Sequence, residues 1–185
     1  MSDYRRVKEP YKTFFFTVVT YNRQQILCEP ESRIMLREAL EKVRALYPFR
    51  IDAWVLLPEH LHCIWTMPEN DYDFSKRWGM VKKEFTARYQ TIKDKQIKIV
   101  KGADSRNKRR ESFIWQRRFW EHAIRDQNDF NHHCDYIHYN PVKHSLVEEP
   151  REWPYSTVNR FVKAGLYSPD WATHLSMKVK GMELE

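Results

Sequence analysis

Two histidines stand two residues apart in Leu56-Leu57-Pro58-Glu59-His60-Leu61-His62-Cys63-Ile64-Trp65-Thr66, an apolar and β-prone run. In a strand, alternate side chains share a face about 7 Å apart along the backbone, so both imidazoles can converge on one metal ion. Far downstream lies Asp135-Tyr136-Ile137-His138-Tyr139-Asn140-Pro141-Val142-Lys143-His144. In a helix, Tyr136 and Asn140 sit one turn apart and about 40° around the axis, whereas Tyr139 and Asn140 are about 100° apart. A metal held by His60, His62 and the Asn140 amide, beside the Tyr136 hydroxyl, would make a nucleophilic site suited to phosphodiester chemistry.

Such a site needs a rigid scaffold. Phe14-Phe15-Phe16-Thr17-Val18-Val19-Thr20, within 11–21, is aromatic and β-branched and reads as a buried first strand. Pro30 opens a helix to about Tyr47, with Leu36, Leu40 and Val43 on its apolar stripe and Pro48 ending it. Ile51–Leu57 and His60–Met67 read as a hairpin joined at Pro58-Glu59. On its second strand Leu61, Cys63, Trp65 and Met67 form the better core face. His60, His62, Ile64 and Thr66 form the other, expected to be the more open one.

Asp73 is positioned to cap a helix whose Phe74, Trp78, Val81, Phe85 and Tyr89 recur at helical spacing. Periodicity collapses over 93–112, a basic stretch read as a loop. A last strand is expected within Trp115–Ile124. A helix then runs over Asp126–Asn140, with Tyr136 beside its apolar stripe. Asn140-Pro141 is expected to end that helix and start another, Asn140 being its N-cap. Asn140 could therefore be a metal ligand or only a cap. From about residue 150 a C-terminal helical extension follows.

The order strand, helix, strand, strand, helix, strand fits an α+β, ferredoxin-like (split βαβ) antiparallel sheet, with the first and third strands central. All 185 residues read as one domain. A formal charge of +7 favours a polyanionic partner. Candidate DNA contacts are Arg5, Arg6, Lys82, Lys83, Lys108, Arg109, Arg110 and Lys143. Only four glycines argue against a Gly-rich phosphate loop, and no Walker or Rossmann fingerprint appears. Three cysteines without Cys-x-x-Cys spacing argue against a disulfide framework and for a reducing compartment. No signal core or membrane-length apolar run is present, so a cytoplasmic protein is expected.

The His60 and Tyr136 segments, together with Phe119-Trp120-Glu121-His122, resemble the REP-associated tyrosine transposases over about Tyr4 to Trp171. These belong to the HUH endonuclease group, named for two histidines around a hydrophobic residue. The resemblance implies a ferredoxin-like core, His60 and His62 as metal ligands, Tyr136 as nucleophile, and Mg²⁺ or Mn²⁺ as cofactor. Asn140 stands where related transposases carry a Gln as third ligand. The implied activity is cutting and rejoining of single-stranded DNA at hairpins of repeated extragenic palindromes, through a 5′-phosphotyrosine. The alternative is a non-catalytic hairpin DNA- or RNA-binding protein on the same fold. Oligomeric state is left between monomer and dimer, with monomer favoured.

Overall fold

In the computed structural model of the chain, residues 12–93 and 113–172 are described. The elements run β1 (Thr13–Val19), α1 (Pro30–Leu46), β2 (Arg50–Leu56), β3 (His60–Thr66), α2 (Phe74–Lys93), β4 (Trp120–Ala123), α3 (Gln127–Lys143) and α4 (Val158–Lys163). The four strands lie in the order β2-β3-β1-β4 and every pairing is antiparallel. The expected α+β sheet with β1 and β3 at its centre is therefore the observed one. The last strand is shorter than its aromatic composition suggested. Only Trp120–Ala123 pair with β1, and Trp115 forms an isolated bridge to Thr20.

Alternation along the strands divides the core. Phe14, Phe16, Leu61, Cys63 and Trp65 pack with Leu36 and Val43 of α1 and with Trp78, Val81 and Phe85 of α2. Trp65 and Trp78 stack at 4.1 Å between ring centres. Asp73 accepts from the Lys76 amide at 3.0 Å and so holds the start of α2. Arg77 is buried, yet its guanidinium is satisfied by Asp71 and by the carbonyls of Tyr47, Pro48 and Asp73.

The opposite face carries Phe15, Val55 and Ile64 beneath Cys134, Tyr136 and Ile137 of α3 and Phe161 of α4. This corrects the expectation of an open histidine face: α3 roofs it. Phe15, Val55 and Ile64 are as apolar as their counterparts on the first face and require that cover. It also corrects the placement of Tyr136 beside the core, since that residue is only 2% exposed. The expected break at Asn140-Pro141 is absent too. α3 continues through Pro141 to Lys143, with Asp126 capping its start by accepting from the Asp129 amide at 2.9 Å. One proline in the last turn removes a single backbone donor, which a helix packed along its length tolerates.

α3 is pinned from behind by a buried polar network. His138 shares hydrogen bonds with Thr157 Oγ1 (2.8 Å) and Tyr167 Oη (3.0 Å), and Tyr167 donates to Asp135 at 2.7 Å. Burial pulls His138 down to about 3, so it is neutral in the fold. An unfolded histidine protonates near pH 6.5. The stability linked to His138 is thus complete above that pH and is lost as pH falls from about 6.5 toward 3, by up to about 1.4 kcal/mol per pH unit. Urea unfolding between about pH 6.5 and 4 should show this loss, and His138→Gln should flatten it. Parallel pH profiles for the two proteins would reject the assignment.

Candidate active site

The first residue of β3 is His60 and the third is His62; they are 1% and 0% exposed, with ring centres 4.8 Å apart. Each ring is held by its Nδ1. That of His60 donates to Glu59 Oε1 at 3.0 Å, because a carboxylate can only accept. Arg23 backs Glu59 at 3.7 Å. That of His62 meets Thr17 Oγ1 at 2.9 Å, across the β1–β3 pairing that sets Thr17 opposite His62. Both Nε2 atoms are buried and have no hydrogen-bond partner among the described residues. Burial, followed by the neighbouring charges of His60, His144 and Lys143, holds His62 well below the ordinary histidine range. A neutral imidazole braced at Nδ1 with Nε2 free is the form that ligates a metal.

α3 brings the remaining groups. The Tyr136 ring lies 5.1 Å from the His62 ring and 6.0 Å from Phe15. Among the described ring contacts of the two histidines, Tyr136 appears and Tyr139 does not. Asn140 is fully buried, and neither its Oδ1 nor its Nδ2 has a hydrogen-bond partner among the described residues. Buried polar atoms in native folds are usually hydrogen-bonded, so this amide is free to serve a ligand. Lys143 Nζ sits 5.1 Å from the Tyr136 ring centre.

His144 enters the cluster unannounced by the sequence reading, its ring 5.1 Å from that of His60. The signal was present: Tyr136, Asn140 and His144 follow one another at intervals of four. Reading Pro141 as a helix break severed that stripe. Thr17 and Glu59 were likewise missed, because their roles depend on strand register and the hairpin turn.

A second group with ligand-like spacing is His122, Asp129 and His133, whose donor atoms lie within 4.8 Å of one another. Asp129 already accepts from His122 Nε2 at 2.9 Å and from the Arg125 backbone and side chain. Burial alone would raise its carboxyl, but these hydrogen bonds outweigh it and hold the group well below the usual range. The two imidazoles stack at 4.6 Å and 15°, so their in-plane lone pairs run side by side rather than to one point. This group clamps α3 to β4, next to Phe15.

Of the basic residues singled out, Lys82 is half-buried with its ammonium on the Gln116 carbonyl at 2.9 Å, and Lys83 lies on the outer surface of α2. Arg5, Arg6, Lys108, Arg109, Arg110 and most of the basic loop at 93–112 lie outside the described residues.

No protein-family model matches the chain. Over 172 residues it is 48% identical to the REP-associated tyrosine transposase of Escherichia coli K12, an alignment covering 93% of the chain and 92% of that protein. The chain belongs to the REP-associated tyrosine transposase family. A Haemophilus influenzae relative provisionally given the same name is 41% identical over 181 residues, 98% of the chain and 99% of its own length. The solved structure of a REP-associated tyrosine transposase bound to a REP hairpin superposes with a TM-score of 0.74 at 45% identity, over 96% of the chain and 94% of that structure. The sheet and roofing helix described above are thus the transposase fold.

Proposed function

We propose that the protein is a metal-dependent single-stranded DNA endonuclease and strand transferase, which cuts and rejoins DNA at palindromic-repeat hairpins through a 5′-phosphotyrosine on Tyr136. The observation that carries this reading is the convergence of two braced imidazoles and a tyrosine across β3 and α3. The hairpin-bound transposase supports the DNA hairpin as substrate.

The residues present fit a divalent ion. His60 Nε2, His62 Nε2 and Asn140 Oδ1 are buried donor atoms in want of a partner, with His144 at their edge. They would hold Mg²⁺ or Mn²⁺, and the nitrogen-rich set favours Mn²⁺. When bound, the ion would withdraw charge from a non-bridging phosphate oxygen and stabilise the charge developing at phosphorus.

The protein's own groups do the rest. Tyr136 Oη attacks phosphorus, giving up its proton; the 3′-oxygen departs with the bonding pair and gains one. The phosphotyrosine keeps the diester's bond energy, so a 3′-hydroxyl can reverse the step and rejoin DNA without ATP. Glu59, which can only accept, keeps the His60 proton on Nδ1, and Thr17 holds the orientation of the His62 ring. Lys143, above the Tyr136 ring, supplies positive charge where the phosphate must enter. Arg5, Arg6, Lys82, Lys83, Lys108, Arg109 and Arg110 are proposed phosphate contacts, with Lys82 first having to leave Gln116.

The burial of Tyr136 requires α3 to shift before DNA reaches the hydroxyl. The cytoplasm is the proposed place of action. All three cysteines are free, and no described helix is long and apolar enough to cross a membrane. The deciding experiment mixes the protein with labelled hairpin DNA and Mn²⁺, then looks for a denaturant-resistant adduct. No adduct under any divalent metal would leave hairpin binding without catalysis as the function.

A further inference from the structure

On the far side of the sheet from the histidines, a groove of ≈ 620 Å³ opens between α1, β2 and residues 154–160. Its floor is aliphatic, made by Leu36 and Leu40 of α1 and Ile51 and Leu56 of β2. Its rim is cationic, with Arg33, Arg37 and Arg44 from α1, Arg50 from β2 and Arg160 from α4. None of the lining residues is acidic. Carboxylates beside the groove answer two of the five, since Arg37 pairs with Glu41 at 3.6 Å and Arg50 with Asp52. The other three meet only neutral groups among the described residues. Arg33 lies 4.4 Å over the Tyr155 ring, and its Nε is buried without a hydrogen-bond partner there. Arg44 donates to the Phe49 carbonyl at 3.2 Å, and Arg160 to the Ile51 and Asp52 carbonyls.

We infer that this groove docks an acidic segment of a protein partner, an extended chain in which carboxylate side chains alternate with apolar ones. Charge complementarity selects the occupant, because guanidiniums in want of an anion take carboxylates in bidentate pairs. Shape selects its conformation. Arg33 and Arg44 stand about three turns apart on α1, about 16 Å along the axis. About five extended residues cover that length. Alternate side chains of such a chain face opposite ways, so its apolar set can lie on the floor while its acidic set stays level with the rim. A nucleic-acid strand fits less well. It offers no aliphatic groups to the floor, and it needs open ring faces on which to stack. Here the Tyr155 ring already lies under Arg33, and Trp54 is half-buried in the wall. The outer edge of β2 is taken as well. The Leu56 amide donates to the Tyr155 carbonyl, the Thr157 amide to the Trp54 carbonyl, and Arg160 covers Ile51 and Asp52. Recognition therefore rests on side chains and not on an added strand. The inference is independent of the nuclease reading.

The test titrates the full chain into a fluorescein-labelled octapeptide that alternates Asp with Leu, read by fluorescence anisotropy. Two comparison peptides replace every Asp, or every Leu, with Ser. The Asp-Leu peptide should bind about tenfold or more tightly than either, since the groove is read by charge and apolar contact together. Arg44→Gln/Arg160→Gln should weaken that binding about tenfold or more. Lys12→Gln/Lys42→Gln removes the same charge from exposed lysines paired to Glu69 and Glu84, away from the groove, and should keep the wild-type affinity. Melting temperatures of the two variants check that each is folded. Should the arginine pair unfold, Arg37→Gln takes its place, because that side chain is exposed and its partner Glu41 lies outside the groove. Equal weakening by the arginine and lysine variants marks a general attraction to a basic chain and overturns the inference. Equal binding of the Asp-Ser peptide does so too, since the apolar floor would then read nothing. A labelled oligothymidylate of eight nucleotides is the last arm. If it displaces the peptide at lower concentration than unlabelled peptide does, and its own binding falls in the arginine variant, the groove belongs to a nucleic acid and the inference fails.

Discussion

Replacing Tyr136 with Phe is expected to eliminate the covalent protein–DNA adduct while leaving fold and hairpin binding nearly intact. The substitution removes one oxygen from a ring packed against His62 and Phe15 and keeps the ring itself. No hydrogen bond of the Tyr136 hydroxyl is recorded among the described residues, so its removal should change stability by no more than about 1 kcal/mol. Phosphate contacts by Lys and Arg dominate affinity for DNA, so binding should barely change. The chemistry has no substitute, because no phosphotyrosine can form. Tyr139→Phe is the paired control. Tyr139 is also buried, but it sits about 100° around the helix from Asn140. It makes no described ring contact with His60 or His62. That variant should still form the adduct. Mass spectrometry of the trapped complex decides between the two, and DNA found on Tyr139, or normal cleavage by Tyr136→Phe, would overturn the assignment.

The legibility of this site in the sequence follows the range of the interactions that build it. His60 and His62 are two residues apart in one strand, so strand periodicity alone put them on one face. Asp73 and Phe74 announced α2 because capping and helical spacing are local. The sheet order followed from element order, since a split βαβ arrangement leaves few alternatives. What stayed hidden was the covering of the histidine face. Whether a sheet face is open depends on where a helix distant in sequence docks, which no local pattern records. Tyr136 was accordingly placed at the edge of the core rather than inside it.

Pro141 misled for a related reason. Its intrinsic cost argues for a break, but packing of α3 against the sheet and the Asp135–Tyr167–His138 network carries the helix across it. With the break went His144, which continues the Tyr136 and Asn140 stripe toward His60.

His60→Ala and His62→Ala should each lower adduct formation by on the order of 10³-fold or more while preserving most hairpin binding. Both rings are fully enclosed, so alanine also opens a cavity, and loss of activity alone would be ambiguous. His62→Gln keeps most of the volume and a polar atom toward Thr17, and it provides the cleaner variant. Metal binding supplies an independent reading. Mn²⁺ at about 100 times its dissociation constant should stabilise the wild-type fold by about 2.7 kcal/mol, visible as a rise in melting temperature. That rise should vanish in either histidine variant. Asn140→Ala and His144→Ala weigh the two edge positions. A side chain that orients the ligands should cost about 10–100-fold in Mn²⁺ affinity, one that touches the ion at least that much, and one that only packs beside it little. A wild-type Mn²⁺ shift in His60→Ala or His62→Gln would place the metal elsewhere, with His122, Asp129 and His133 the next group to mutate. Full cleavage by the same variants would reject the His60–His62 metal site.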